Sequence, residues 1–180
     1  MTKCIVCENT ENFSTKYKIL TKCNVCSHIF ADLNLNFNEI KKIYSNNFFF
    51  GEEYIDYIND RKQIEKNSII KFKIINKYLK NTFEFNLLEI GCAYGYFINI
   101  VQNKFKKVFG IDINDDAILY ARNNLSLEVE NTDFLKLSKN IVNNYNAFCM
   151  FDVIEHLTNP ALIIDHINKH AKKGSYLFIT

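Results

Sequence analysis

The stretch Leu87-Leu88-Glu89-Ile90-Gly91-Cys92-Ala93-Tyr94-Gly95-Tyr96-Phe97 decides the fold. Its first four residues are a short, β-rich apolar run that stops at Gly91. Gly91 to Gly95 is a tight turn of mostly small residues. From Gly95 the apolar positions Phe97, Ile98, Ile100, Val101 and Phe105 switch to helical spacing. The charge of Lys106-Lys107 closes that predicted helix, as the macrodipole prefers. A second apolar strand, Val108–Ile111, ends in Asp112, about 20 residues beyond the first glycine. Strand, glycine turn, helix, strand and acid make a nucleotide-binding crossover. The glycines admit a ligand close to the backbone, and the helix start offers N–H groups to an anion. The acid at the strand tip suits two ribose hydroxyls.

Downstream the alternation continues. Asn114 is placed to cap a helix over Asp115–Arg122, and Leu127–Glu130 reads as a third strand. Asp133 is placed to cap a helix over Phe134–Lys139. Tyr145–Phe151 is a wholly apolar fourth strand, as a central parallel strand should be. It runs into Asp152-Val153-Ile154-Glu155-His156-Leu157-Thr158-Asn159-Pro160. One helical turn would put Asp152, Glu155 and His156 on a common face. A divalent metal there is the weaker reading, because hard cations want more oxygen ligands. Pro160 starts a helix over Ala161–Lys172, Gly174 ends it, and Tyr176–Thr180 is a fifth strand. The expected fold is α/β, a Rossmann-like parallel sheet of five strands. The last strand would leave an apolar edge open to association.

The amino-terminal part has a different character. Cys4-Ile5-Val6-Cys7 and Cys23-Asn24-Val25-Cys26 are two C-x-x-C pairs separated by fifteen residues, a zinc spacing. Four thiolates close a tetrahedral site with no position for water, so the expected zinc is structural. His28 reads as a surface residue rather than a fifth candidate ligand. A short helix over Asn38–Tyr44 follows, then three phenylalanines at Phe48–Phe50. From Glu52 to Lys80 the positions Tyr54, Ile55, Ile58, Ile64, Ile69, Phe72, Ile75 and Leu79 recur at helical spacing. The chain therefore divides into a zinc ribbon (1–34), a helical segment (35–82) and the Rossmann-like domain (83–180).

Composition narrows the function classes. A chain of 180 residues with 48% hydrophobic content can bury a real core. A net charge of only +2 gives no strong pull toward nucleic acid, and Lys3, Lys16, Lys18 and Lys22 are scattered over the ribbon. No apolar run is long enough to span a bilayer, and Met1-Thr2-Lys3-Cys4 opens without a signal peptide, so the cytoplasm is the expected compartment. Cys92 and Cys149 lie in apolar surroundings and read as inert thiols.

At Glu89-Ile90-Gly91-Cys92-Ala93-Tyr94-Gly95 the chain resembles the class I S-adenosylmethionine (SAM) methyltransferases, with Ala93 standing where the family has its middle glycine. The D-V-I-E-H-L-x-N-P stretch at 152–160 strengthens the resemblance, which spans Asn86 to Thr180. It implies SAM as donor, held by Glu89, Gly91, Cys92, Ala93, Gly95, Asp112 and Ile113. It also implies adenine contacts from Asp133 and Phe134, and an ammonium held by backbone around Phe151. Tyrosines of the preceding segment often touch the donor in the family; Tyr44 is the leading candidate, with Tyr54 and Tyr57 behind it. Arg61 is a candidate for a carboxylate or phosphate, and His156 for the base. Family members with an amino-terminal four-cysteine ribbon recur in surface-polysaccharide and deoxysugar pathways. That implies a small-molecule, sugar-nucleotide or glycan acceptor, with O-methylation in capsule biosynthesis as the leading case. An RNA methyltransferase with the ribbon as reader and a non-catalytic zinc-ribbon module are the competing readings. The family sheet has two further strands, so the expectation is a domain incomplete at its carboxyl end.

Overall fold

Two sheets organise the computed structural model, which describes residues 2–17, 20–31, 37–43 and 57–180. The first is antiparallel, β1 (Phe13–Tyr17), β2 (Leu20–Cys23) and β3 (Ile29–Ala31) in that order. Among the described residues its apolar centre is Cys4, Cys23 and Phe30, with Ile5 and Phe13 against them. So small a core calls for a staple.

Helix α1 (Phe37–Ile43) and helix α2 (Arg61–Leu79) come next. The long helical segment expected from residue 52 is thus helical from Arg61, after a turn at 57–60. Tyr44, Phe48–Phe50, Tyr54 and Ile55 lie outside the described residues. Ile69, expected on the apolar face, is 43% exposed, because α2 turns Ser68, Ile75 and Leu79 inward instead.

The second sheet is wholly parallel, ordered β6-β5-β4-β7-β8. Its strands are β4 (Asn86–Ile90), β5 (Lys107–Asp112), β6 (Val129–Asn131), β7 (Ala147–Met150) and β8 (Tyr176–Ile179). The crossovers carry α3 (Tyr96–Val101), α4 (Asp115–Leu125), α5 (Lys139–Val142) and α6 (Pro160–His170). Strand alternation sends Leu87 and Leu88 to opposite faces. Leu87 packs with Ile75, Phe97, Ile98 and Ile118, while Leu88 packs with Phe109, Phe148, Ile163 and Ile167. Both faces are covered, which explains the continuous apolar character of β7. The strand order reverses at β4, between β5 and β7, so a crevice opens at the carboxyl ends of these strands.

Two boundaries differ from expectation, the first through the pull of the sheet. Helix α3 stops at Val101, well short of Lys106. The Lys106 amide donates to the Phe85 carbonyl at 3.0 Å and draws the chain into β5, whose first residue Lys107 pairs with Glu128 at 2.9 Å. Asp152, Glu155 and His156 do not share a helical turn. Only Ile154–His156 is helical, a 3₁₀ turn, and Asp152 lies before it in the left-handed region at φ 57°. On β8, Tyr176 and Ile179 are about two-fifths exposed (41% and 40%), the expected apolar edge.

Candidate functional site

The crevice measures about 530 Å³, within the range of small-ligand sites. Its floor is the turn after β4. The Gly91 and Cys92 amides both donate to the Ile111 carbonyl, at 2.8 and 2.9 Å, which docks the turn on β5. Gly91 adopts φ 77°, and a Cβ there would strike the Val153 side chain. Ala93, where the family pattern has glycine, also adopts positive φ, 45°. Its amide donates to Asp112 Oδ2 at 2.8 Å, while Asp112 Oδ1 accepts from the Asn114 amide at 2.8 Å. The carboxylate is therefore pinned at the tip of β5, each oxygen keeping a lone pair for a ligand. Burial raises the Asp112 pKa, and those amide bonds oppose the rise.

Glu89, Gly91, Cys92, Ala93, Asp112, Ile113, Asp133, Phe134, Phe151 and His156 all line this crevice. Gly95 does not. It caps α3 at φ 75°, and a Cβ there would lie 2.5 Å from Leu127 Cδ1 and 3.2 Å from Ala121 Cβ. Its smallness serves helix packing. Asp133 lines the crevice and also caps the 3₁₀ turn Phe134–Lys136, accepting from the Leu135 amide at 3.0 Å. Tyr57 lines it too, stacked on Tyr96 at 5.7 Å. Arg61 instead pairs with Glu65 at 2.7 Å and lies 5.4 Å from the centre of the Tyr96 ring. Cys92 and Cys149 are buried, and burial pushes both thiols well up, so they stay protonated.

Glu89 is buried with Oε2 lacking a hydrogen-bond partner. Burial pushes its carboxyl up to about 8, with Lys71 working against the rise and Asp112 adding to it. Lys71 is the residue that sequence reading missed. It enters the crevice from α2 and pairs with Asp152 at 2.8 Å. A signal was present: Ile64, Asn67, Ser68 and Lys71 all line the crevice and fall at i, i+3, i+4, i+7. That stripe is mostly polar, and an apolar periodicity search passes over it.

The cysteines converge as their spacing implied. The four sulfurs lie within 4.8 Å of one another, and Cys4–Cys26 and Cys7–Cys23 are each 3.6 Å apart. Disulfide bonding needs about 2.05 Å. A zinc ion about 2.3 Å from each sulfur gives tetrahedral edges of about 3.8 Å, so the donor set fits that ion. The two knuckles share one geometry. The Cys4 and Cys23 backbone carbonyls accept from the Glu8 and Ser27 amides at 3.0 and 2.8 Å, and Glu8 and Ser27 both adopt positive φ. Among the described residues, no other three potential ligands cluster this way. His28 stays outside the cluster, and its ring stacks on Phe30 at 5.7 Å rather than lying free on the surface.

A crevice at the switch point of a parallel sheet, with a pinned acid at the second strand tip, defines a Rossmann-like α/β fold. The Methyltransferase domain family matches residues 49–180, and the chain belongs to that family. It is 29% identical over 141 residues to the mitochondrial ubiquinone biosynthesis O-methyltransferase of Dictyostelium discoideum, covering 70% of this chain and 43% of that protein. It is 28% identical over 159 residues to the ubiquinone biosynthesis O-methyltransferase of Glaesserella parasuis, covering 82% and 64%. The chain thus spans roughly half of the curated relatives it matches (43% to 64% of their length). Among solved structures it resembles the plantazolicin methyltransferase BpumL in complex with S-adenosylhomocysteine (SAH). The TM-score is 0.61 at 18% identity, covering 79% of this chain and 60% of that one. At that identity the likeness concerns the fold. Among the described residues no helix is long and apolar enough to cross a membrane.

Proposed function

We propose that this chain is the donor-binding part of a SAM-dependent methyltransferase acting on a small molecule. The observation that carries the reading is Asp112, held by two backbone amides at 2.8 Å with its oxygens presented to the crevice. In this reading Asp112 receives the ribose hydroxyls. Asp133 and Phe134 take the adenine, with Ile113 beside them, and the methionine end lies over Gly91, Cys92 and Ala93 toward Glu89 and Phe151. Gly95 shapes the turn from behind. SAM supplies a methyl group activated on a sulfonium. The chain's own task is to hold donor and acceptor in line and to exclude water. His156, at the crevice mouth, is the base that takes the acceptor's proton at an imidazole nitrogen.

The acceptor class is a small molecule bearing a hydroxyl. A sugar, nucleotide-sugar or glycan precursor of a capsule pathway is the narrower proposal. It rests on the resemblance of the ribbon-bearing subfamily, since the relatives named above concern ubiquinone and plantazolicin. Cys4, Cys7, Cys23 and Cys26 would hold a structural zinc, and thiolate ligation fits a reducing compartment such as the cytoplasm. The test is calorimetry with SAM and SAH on the zinc-loaded chain and on Asp112→Asn. The expected result is binding by the parent chain and at least tenfold weaker binding by the variant, since a hydrogen bond to a charged group contributes about 1.5–3 kcal/mol. A folded chain that binds neither ligand would refute the donor assignment.

A further inference from the structure

Lys71 occupies a place built for a primary ammonium. Its Nζ lies 2.8 Å from Asp152 Oδ2 and 4.7 Å from the centre of the Phe151 ring. Its charge also acts on the buried carboxyl of Glu89. Asp152 is fixed for this contact. Its amide donates to Thr180 Oγ1 at 3.1 Å, and that hydroxyl donates to Asp152 Oδ1 at 2.9 Å. With Oδ1 held, Oδ2 is turned toward Lys71. Burial alone would raise the Asp152 pKa; the bonds from Lys71 and Thr180 outweigh it and hold the carboxyl below its ordinary value. A carboxylate and an aromatic face make a setting that suits –NH₃⁺.

The donor reading puts another primary ammonium in the same place. In that reading the amino-acid end of SAM is held near the Phe151 backbone, and Phe151, Asp152, Glu89 and Lys71 all line the crevice. Two ammonium groups cannot share that setting. We infer that Lys71 is an internal occupant of the donor's ammonium subsite, its Nζ lying between Asp152 and Phe151 until the donor's amino group displaces it. The inference rests on the SAM reading and goes beyond it. While it holds this position the lysine neutralises Asp152. Once displaced it competes with whatever holds the subsite, so it also promotes release of the product, whose amino-acid end is unchanged by methyl transfer.

The competition affects only ligands that carry the amino-acid end. The test therefore pairs SAH with 5′-methylthioadenosine, which keeps the nucleoside and thioether and lacks that end. Calorimetry on the full zinc-loaded chain compares the parent with Lys71→Met, Lys71→Gln and Lys71→Arg. Removing the ammonium should tighten SAH binding about fivefold, the scale of a partly exposed ion pair. Binding of 5′-methylthioadenosine should not change, and Lys71→Arg, which keeps a cation, should gain less than the other two. Weaker SAH binding in Lys71→Met and Lys71→Gln would overturn the inference and make Lys71 a clamp for the donor's carboxylate. Unchanged SAH binding, or equal tightening of both ligands, would overturn it as well. Lys71→Gln keeps the length of the stem and serves if the apolar variant folds poorly. A parent chain that binds neither ligand would instead defeat the donor reading itself.

Discussion

Replacing Glu89 by Gln should change how the stability of the Rossmann-like domain depends on pH. Glu89 is buried on β4, and burial raises its carboxyl from about 4.5 to about 8. In the unfolded chain it ionises near its ordinary value. As pH rises from about 4.5 to 8, the unfolded state has already lost a proton that the folded state still holds. Stability therefore falls through that window and levels off above it. At 1.36 kcal/mol per pKa unit, the loss traceable to this one group is about 4–5 kcal/mol, an upper bound that relaxation of the site would reduce. Glutamine is nearly isosteric and does not titrate, so the variant escapes this loss. Urea unfolding followed by helical circular dichroism reports this domain, because the ribbon's described elements are strands and turns. The two proteins should be close near pH 5, and the variant should be the more stable by several kcal/mol at pH 8 to 9. For a domain of this size that is roughly 15–30 °C in Tm. Parallel stability profiles from pH 5 to 9 would refute the claim that Glu89 is protonated in the fold.

Two further outcomes follow from the packing. The purified chain should carry one zinc per molecule by atomic absorption, and a strong chelator should abolish the protection of ribbon amides from hydrogen exchange while β4 and β5 stay protected. Loss of protection in both sheets together would mean that they form one cooperative unit. Gly110→Ala should destabilise by about 1–3 kcal/mol in denaturant titrations. A Cβ on that β5 residue would drive into Ile98 Cδ1 and come within 2.9 Å of Cys92 Sγ, so an unchanged unfolding midpoint would show that α3 is free to shift.

Both main features were legible in the sequence because they are local. The change from strand to helical periodicity at Gly91–Gly95, and the acid about 20 residues on, need only neighbouring residues to be read. The repeated C-x-x-C spacing is equally local, and the knuckles it encodes bring four sulfurs together. Ten of the site residues expected from sequence line the crevice for that reason. What tertiary structure decided involves partners distant in the chain. Lys71 meets Asp152 across 81 residues, and Asp152 meets Thr180 across 28. Which face α2 turns to the crevice depends on how Ile75 and Leu79 dock against Leu87, not on its own periodicity. Gly95 belongs to the glycine pattern, but only the approach of Leu127 and Ala121 makes it a packing residue rather than a lining one. Short-range pattern specifies backbone turns and strand ends, whereas the direction of a long side chain is settled by the helix that carries it and the strand tip it meets.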